Sequence, residues 1–192
     1  MSENDISVLI INQHSHNFGD DAAGTALINR LLLNSRVSRI DIIYNSCDVA
    51  IPVTNEKVHH RLDISLRKVG ILELLKFCIF GGKTKYKTKS STMKKWINII
   101  DRADYIYVVP CGANIGIYKD WLFLFRVYMI IRRKKTPIFH YNTIGKSGSP
   151  IFDFFAKRVL KKSIIFVRET KSKKYLESLG LKAKFGPDTA FM

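Results

Sequence analysis

Arg168 and Glu169 come directly after an apolar run, Ser163–Val167, and stand just before Ser172. A guanidinium leaving the end of a strand can hold a carboxylate or a phosphate through two parallel N–H bonds. The competing use of Arg168 is an ion pair with Glu169 or Asp188. Far upstream, Asn17-Phe18-Gly19-Asp20-Asp21 follows another apolar run and offers two carboxylates beside a glycine. There Asp20 can orient or deprotonate a hydroxyl, or, like Asp21, cap a helix through its side-chain oxygen. Between these stretches lie Cys111-Gly112-Ala113-Asn114-Ile115-Gly116 and Gly145-Lys146-Ser147-Gly148, small and polar residues that let a ligand approach the backbone or simply permit a turn. The chemistry on offer is anion binding next to activation of a hydroxyl group.

Metal chemistry is not expected. His14 and His16 lie on the first loop without a carboxylate at ligand spacing, and His140 falls inside an apolar strand, where a core role is the simpler one. Cys47, Cys78 and Cys111 have no C-x-x-C spacing, which speaks against a structural zinc site or a disulfide framework and for a reducing compartment. Neither G-x-G-x-x-G nor the Gly-Lys-Ser/Thr phosphate loop occurs.

These loops need a scaffold, and the hydrophobic pattern supplies one. Ile6–Leu27 reads as buried strand, tight loop and helix start. A helix over Ala22–Asn34 and a strand over Arg39–Tyr44 complete a right-handed βαβ unit, and Asp48–Thr54 reads as a further short strand held to an edge by Pro52. The signal weakens over Asn55–Lys95, where an apolar patch within Val69–Phe80 precedes alternating lysines from Lys83 to Lys89. Then come a helix over Met93–Arg102, strand Ala103–Pro110, helix Asp120–Lys135, strand Ile138–Ile144, helix Phe152–Leu160, strand Ser163–Val167, helix Ser172–Leu179 closed by Gly180, and strand Lys182–Phe185. Alternation of this kind predicts an α/β, Rossmann-like, mostly parallel sheet flanked by helices, with its working edge at the carboxyl ends of the strands.

The chain has 192 residues, 46% of them apolar, enough for one packed domain. Its 32 Lys+Arg against 16 Asp+Glu give a formal charge of +16, which suits an anionic partner. No signal peptide opens the sequence, and the apolar stretches around Ile71–Phe80 and Trp121–Ile131 are shorter than the roughly 20 residues a membrane span needs. A cytoplasmic protein is expected, with peripheral contact to an anionic membrane through the lysines beside Ile71–Phe80.

In order along the chain, Asn17-Phe18-Gly19-Asp20, the strand and loop Asp104–Gly112, Ile144-Gly145, Val167-Arg168-Glu169 with Ser172, Tyr175-Leu176-x-x-Leu179-Gly180, and Pro187-Asp188-x-Ala190-Phe191 resemble the polysaccharide pyruvyl transferases. Two stretches depart from that pattern: Pro110-Cys111-Gly112-Ala113 stands where a glycine pair or triplet is usual, and Gly145-Lys146-Ser147 where Gly-Pro is frequent. The resemblance implies transfer of a pyruvyl group from phosphoenolpyruvate to a sugar of a cell-surface polysaccharide, an exopolysaccharide or its lipid-linked precursor. Phosphoenolpyruvate is then the donor substrate and no cofactor is needed. It implies catalytic roles for Asp20 and Arg168 and substrate contacts for Asn17, Gly19, Gly112, Asn114, Gly145, Glu169 and Ser172. It also implies that residues 1–192 form a single Rossmann-like domain, the N-terminal lobe of a GT-B-like two-domain transferase. The C-terminal lobe would be absent from this chain, which alone would be an inactive half unless that lobe or a homo-oligomer completes it.

Two alternatives stay open at this point. One is a GT-B-like glycosyltransferase using a nucleotide sugar. The other is a non-catalytic module binding anions or nucleic acid, disfavoured because the basic residues are not interleaved with aromatics on one element.

Overall fold

The structure, a computed structural model, describes residues 5–15, 17–45, 49–83, 86–109 and 112–187. His16, Cys47, Asp48, Pro110, Cys111, Asp188, Ala190 and Phe191, singled out above, lie outside the described residues.

Seven parallel strands form one sheet: β1 (Ile6–Gln13), β2 (Val37–Tyr44), β3 (Val58–Arg61), β4 (Tyr105–Val108), β5 (Pro137–Phe139), β6 (Ile164–Val167) and β7 (Lys184–Phe185), in the order β3-β2-β1-β4-β5-β6-β7. The helices are α1 (Phe18–Leu32), α2 (Ile71–Phe80), α3 (Ser91–Arg102), α4 (Trp121–Arg132), α5 (Pro150–Leu160) and α6 (Thr170–Ser178). The chain runs outward from β1 to β3, crosses back, and then runs the other way from β4 to β7. This is a Rossmann-like arrangement whose strand order reverses between β1 and β4.

Central position explains composition. β1 is covered on both faces, and all of it but Ile6 is buried. Leu9 and Ile11 join the core under α3, α4, α5 and α6 with Trp96, Phe77 and Phe152, whereas Val8 and Ile10 join Leu27 and Ile28 of α1 on the opposite face. Helix ends are set by local chemistry. Ser90, Asp120 and Ser149 accept hydrogen bonds from Met93, Phe123 and Phe152, capping α3, α4 and α5. Gly180, at φ +72°, closes α6 with Gly180 N–H donating to Glu177 and Leu181 N–H to Leu176.

Three expectations are corrected. Residues 49–54 form no strand: Pro52 sits at the centre of a tight turn in which Val53 N–H donates to the Ile51 carbonyl at 2.8 Å. The third strand is instead Val58–Arg61, whose two histidines and arginine mask it in a hydrophobic pattern because it lies at the sheet edge, half-exposed. The strand expected over Ile138–Ile144 ends at Phe139, since Tyr141 takes a left-handed φ of +57° and turns the chain; Ile144 returns only as an isolated bridge to Ile115. Finally, α1 begins at Phe18, and its cap is Asn17, whose Oδ1 accepts from Gly19 N–H at 3.0 Å, rather than Asp20 or Asp21. Both aspartates thereby fall in the first turn, where the helix dipole favours them.

Candidate functional site

All strands being parallel, the loops that follow β1, β4, β5 and β6 share one edge of the sheet. The strand order reverses there between β1 and β4, the position at which open α/β sheets bind their ligands. β1 ends in a bulge: Asn12, buried, takes φ +68° as the register to β2 shifts between Ile11 and Gln13. That kink turns the buried Gln13 toward the start of α1, where its Nε2 donates to the carbonyls of His14 at 2.6 Å and Asp20 at 3.0 Å. Gly24 makes the approach feasible, since a Cβ at that position would lie 2.1 Å from Gln13 Oε1.

A second layer of contacts joins β2 and α4 to this loop. Asn45, just beyond β2, donates its backbone N–H to the Gln13 carbonyl at 2.9 Å, and its Nδ2 lies 3.0 Å from His14 Nε2. Arg126 lies in the middle of apolar α4 and is 2% exposed. Its Nη1 donates to Asn45 Oδ1 and its Nη2 to the Asn45 carbonyl at 3.4 Å. Burial holds the His14 pKa below 6.5; the charge of Asp20 opposes this, Arg126 adds to it, and Asp120 opposes it in turn. His14 therefore feels carboxylates from α1 and from the α4 cap, and guanidinium charge from Arg126 within α4 and from Arg67. Asp120 also accepts from Asn114 Nδ2 at 3.0 Å, which fixes the amide on the β4 loop.

The β5 and β6 loops form the other end of the rim. Arg168 is half-buried, and its Nε donates to Thr143 Oγ1 at 3.3 Å, while the Thr143 hydroxyl donates to Glu169 Oε1. Ser172 is buried at the start of α6 and its Oγ accepts from Ile144 N–H at 2.9 Å, so this hydroxyl anchors the β5 loop. Gly145 N–H donates to Ile115 at 2.9 Å and Asn142 Nδ2 to Val109 at 3.1 Å, tying the β5 loop to the β4 loop. A tight cleft between them, too small to admit a water molecule, is lined by Gly112, Asn114, Phe123, Asn142, Thr143 and Ile144. At Gly112 a Cβ would sit 2.5 Å from the Tyr118 ring.

The residues singled out in the sequence thus fall into two groups. Asn17, Gly19 and Asp20 stand on the β1 side; Gly112 and Asn114, on the β4 loop, line one tight space with the β5 loop and so go with Gly145, Arg168, Glu169 and Ser172 on the β5 and β6 side. β1 and β6 are three strand spacings apart, ~14 Å, so the β1 exit and the β6 exit stand well separated along the edge. Gln13, Asn45, Arg126 and Thr143 escaped the sequence reading. The lone arginine in WLFLFRVYMII was a signal for one of them, because a charge in an apolar helix is kept only with a partner. Among the described residues no cluster of three or more His, Cys, Asp or Glu side chains could hold a metal ion.

A seven-stranded parallel sheet whose strand order reverses between β1 and β4 defines a Rossmann-like α/β domain, a class in which ligands bind outside the carboxyl ends of the strands. The chain belongs to the polysaccharide pyruvyl transferase family, whose model matches residues 17–192 and so takes in every loop of that edge from the α1 cap onward. No curated protein matches the chain.

Proposed function

We propose that this chain binds phosphoenolpyruvate and a sugar at the carboxyl edge of its sheet, for pyruvyl transfer to a cell-surface polysaccharide or its lipid-linked precursor. The observation that carries this reading is positional. The stretches through which the chain resembles the family, Asn17–Asp20, the loop end of Asp104–Gly112, Ile144-Gly145 and Val167-Arg168-Glu169 with Ser172, are far apart in sequence and come to one edge of one sheet. In the reaction two sugar hydroxyls form bonds to C2 of the donor, the C2–O bond to phosphate breaks, and the methylene carbon takes up a proton to become the ketal methyl group. Inorganic phosphate leaves with the remaining proton.

Arg168 is the cation for the donor carboxylate or phosphate, its fork held toward the β5 loop by Thr143. Asp20, in the first turn of α1 behind the Asn17 cap, is the group to orient or deprotonate an acceptor hydroxyl. The ~14 Å between their strands matches a donor and a sugar side by side.

The test is phosphate release and ketal formation when the protein is given phosphoenolpyruvate and a panel of glycans and lipid-linked sugars. Arg168→Ala should lower kcat/KM at least a hundredfold, and Arg168→Lys should recover little of it because the ammonium cannot form the bidentate fork. Turnover of a nucleotide sugar without any phosphoenolpyruvate-dependent phosphate release would overturn the reading.

A further inference from the structure

We propose that the groove between α2, α4 and α5 docks the protein on an anionic lipid bilayer. The groove, of about 1210 Å³, is far larger than the cleft at the carboxyl edge and lies elsewhere on the molecule. Its wall is apolar and aromatic, with Ile79, Trp121, Phe125, Tyr128 and Phe155 among the lining residues. Its rim carries Lys83, Arg132, Lys134, Arg158, Lys161 and Lys162, and no carboxylate lines it. Lys134, Lys161 and Lys162 have no carboxylate partner among the described residues.

Apolar surface extends outward from the groove. On α2, Ile71, Leu72, Leu75 and Ile79 are 68%, 70%, 53% and 66% exposed, at spacings that place Ile71, Leu75 and Ile79 along one stripe running into the groove. On the α5 side Ile151, Phe154 and Phe155 are exposed as well, and Arg158 stacks on Phe154 at 4.6 Å. An apolar groove edged by cations is what an interfacial membrane site presents, and Trp121, half-exposed, is the residue type that favours the headgroup level. Charge argues against self-association as the occupant, because two copies meeting groove to groove would bring twelve cations together without a carboxylate between them. An anionic bilayer satisfies both the apolar stripe and the basic rim. Among the described residues no helix is long and apolar enough to cross the membrane, so the contact is peripheral. The inference stands on the groove alone and does not depend on the transferase reading.

The experiment is co-sedimentation of the full chain with vesicles of phosphatidylcholine alone or with about one-third phosphatidylglycerol, followed also by Trp121 emission, with light scattering for the oligomeric state. Anionic vesicles should bind at least tenfold more protein than neutral ones and shift Trp121 emission to the blue, while Trp96, fully buried, stays constant. Lys161→Glu/Lys162→Glu should weaken binding about thirtyfold or more, and Leu75→Gln/Ile79→Gln at least tenfold; both pairs are at the surface and should leave the thermal midpoint in place. Equal binding to neutral vesicles, absence of binding, or binding that survives both variants would overturn the proposal. So would a dimer in solution that Leu75→Gln/Ile79→Gln dissolves, which would make a second copy the occupant.

Discussion

Arg126 donates through both terminal nitrogens to Asn45, one to its side-chain oxygen and one to its backbone carbonyl, although 81 residues separate the two in sequence. This fork joins the centre of α4 to the exit of β2, and Asn45 passes the restraint to Gln13 and His14 at the exit of β1. The exit of β1 is therefore held from the buried side.

Arg126→Met keeps the apolar stem but leaves the buried Asn45 oxygen without its donor, at a cost of about 1–3 kcal/mol. Thermal scans should show a midpoint lower by roughly 3–10 °C. Proton NMR should show the His14 pKa rising toward 6.5, because the nearby guanidinium charge is gone. Asp120→Asn should move the same pKa further down. A His14 titration indifferent to both changes would separate these groups in space.

Gly24→Ala improves intrinsic helix propensity by about 1 kcal/mol, yet it should destabilise the protein by about 1–3 kcal/mol, since the new Cβ overlaps Gln13 Oε1. Gln13→Ala in the same chain removes the obstacle. Chemical denaturation of the single and double variants should give a clearly non-additive cycle, with Gly24→Ala much better tolerated when Gln13 is already truncated.

Asp41 on β2 is buried and receives Arg39 Nε at 2.8 Å, Arg61 Nε at 2.8 Å and Arg102 Nη2 at 2.5 Å. Burial pushes its pKa up, but the two arginine hydrogen bonds and the Arg102 charge together outweigh that and hold it below 3.8. A carboxylate with a depressed folded pKa contributes stability that is complete above the unfolded value and lost as pH falls through the folded one. Asp41→Asn should therefore cost about 2–4 kcal/mol at pH 6–7, toward the lower side for a buried pair because the arginines can still reach water. The gap between wild type and variant should narrow below about pH 4. Urea titrations across pH 3–7 measure it, and a gap that widens on acidification would reverse the sign.

Much of the fold was legible because a central parallel strand advertises itself: Val8–Ile11 has no polar interruption, and glycines and aspartates mark its exit. What the sequence hid was edge and context. Val58–Arg61 carries two histidines and an arginine because one side of it has no neighbour, and Phe139 ends its strand through a backbone angle at Tyr141 that no composition rule announces. The candidate site divides in the same way. Gly19, Asp20, Gly112, Gly145 and Arg168 stood out as small or charged residues after apolar runs. Gln13, Asn45 and Thr143 are ordinary polar residues whose meaning comes only from contacts with residues distant in sequence. Ser172 was visible, but its burial and its bond to Ile144 were not.

The central claim is that the carboxyl edge of the sheet is where phosphoenolpyruvate binds. Its most direct test is a backbone amide NMR titration of the chain with phosphoenolpyruvate at 150 mM salt, which needs neither turnover nor an acceptor. The account predicts saturable shifts at Gly19, Asp20, Asn114, Gly145, Arg168 and Glu169, weakened at least tenfold by Arg168→Ala. Shifts confined to Lys83, Arg158, Lys161 and Lys162 around the α2–α4–α5 groove, with the carboxyl-edge amides unmoved, would contradict it.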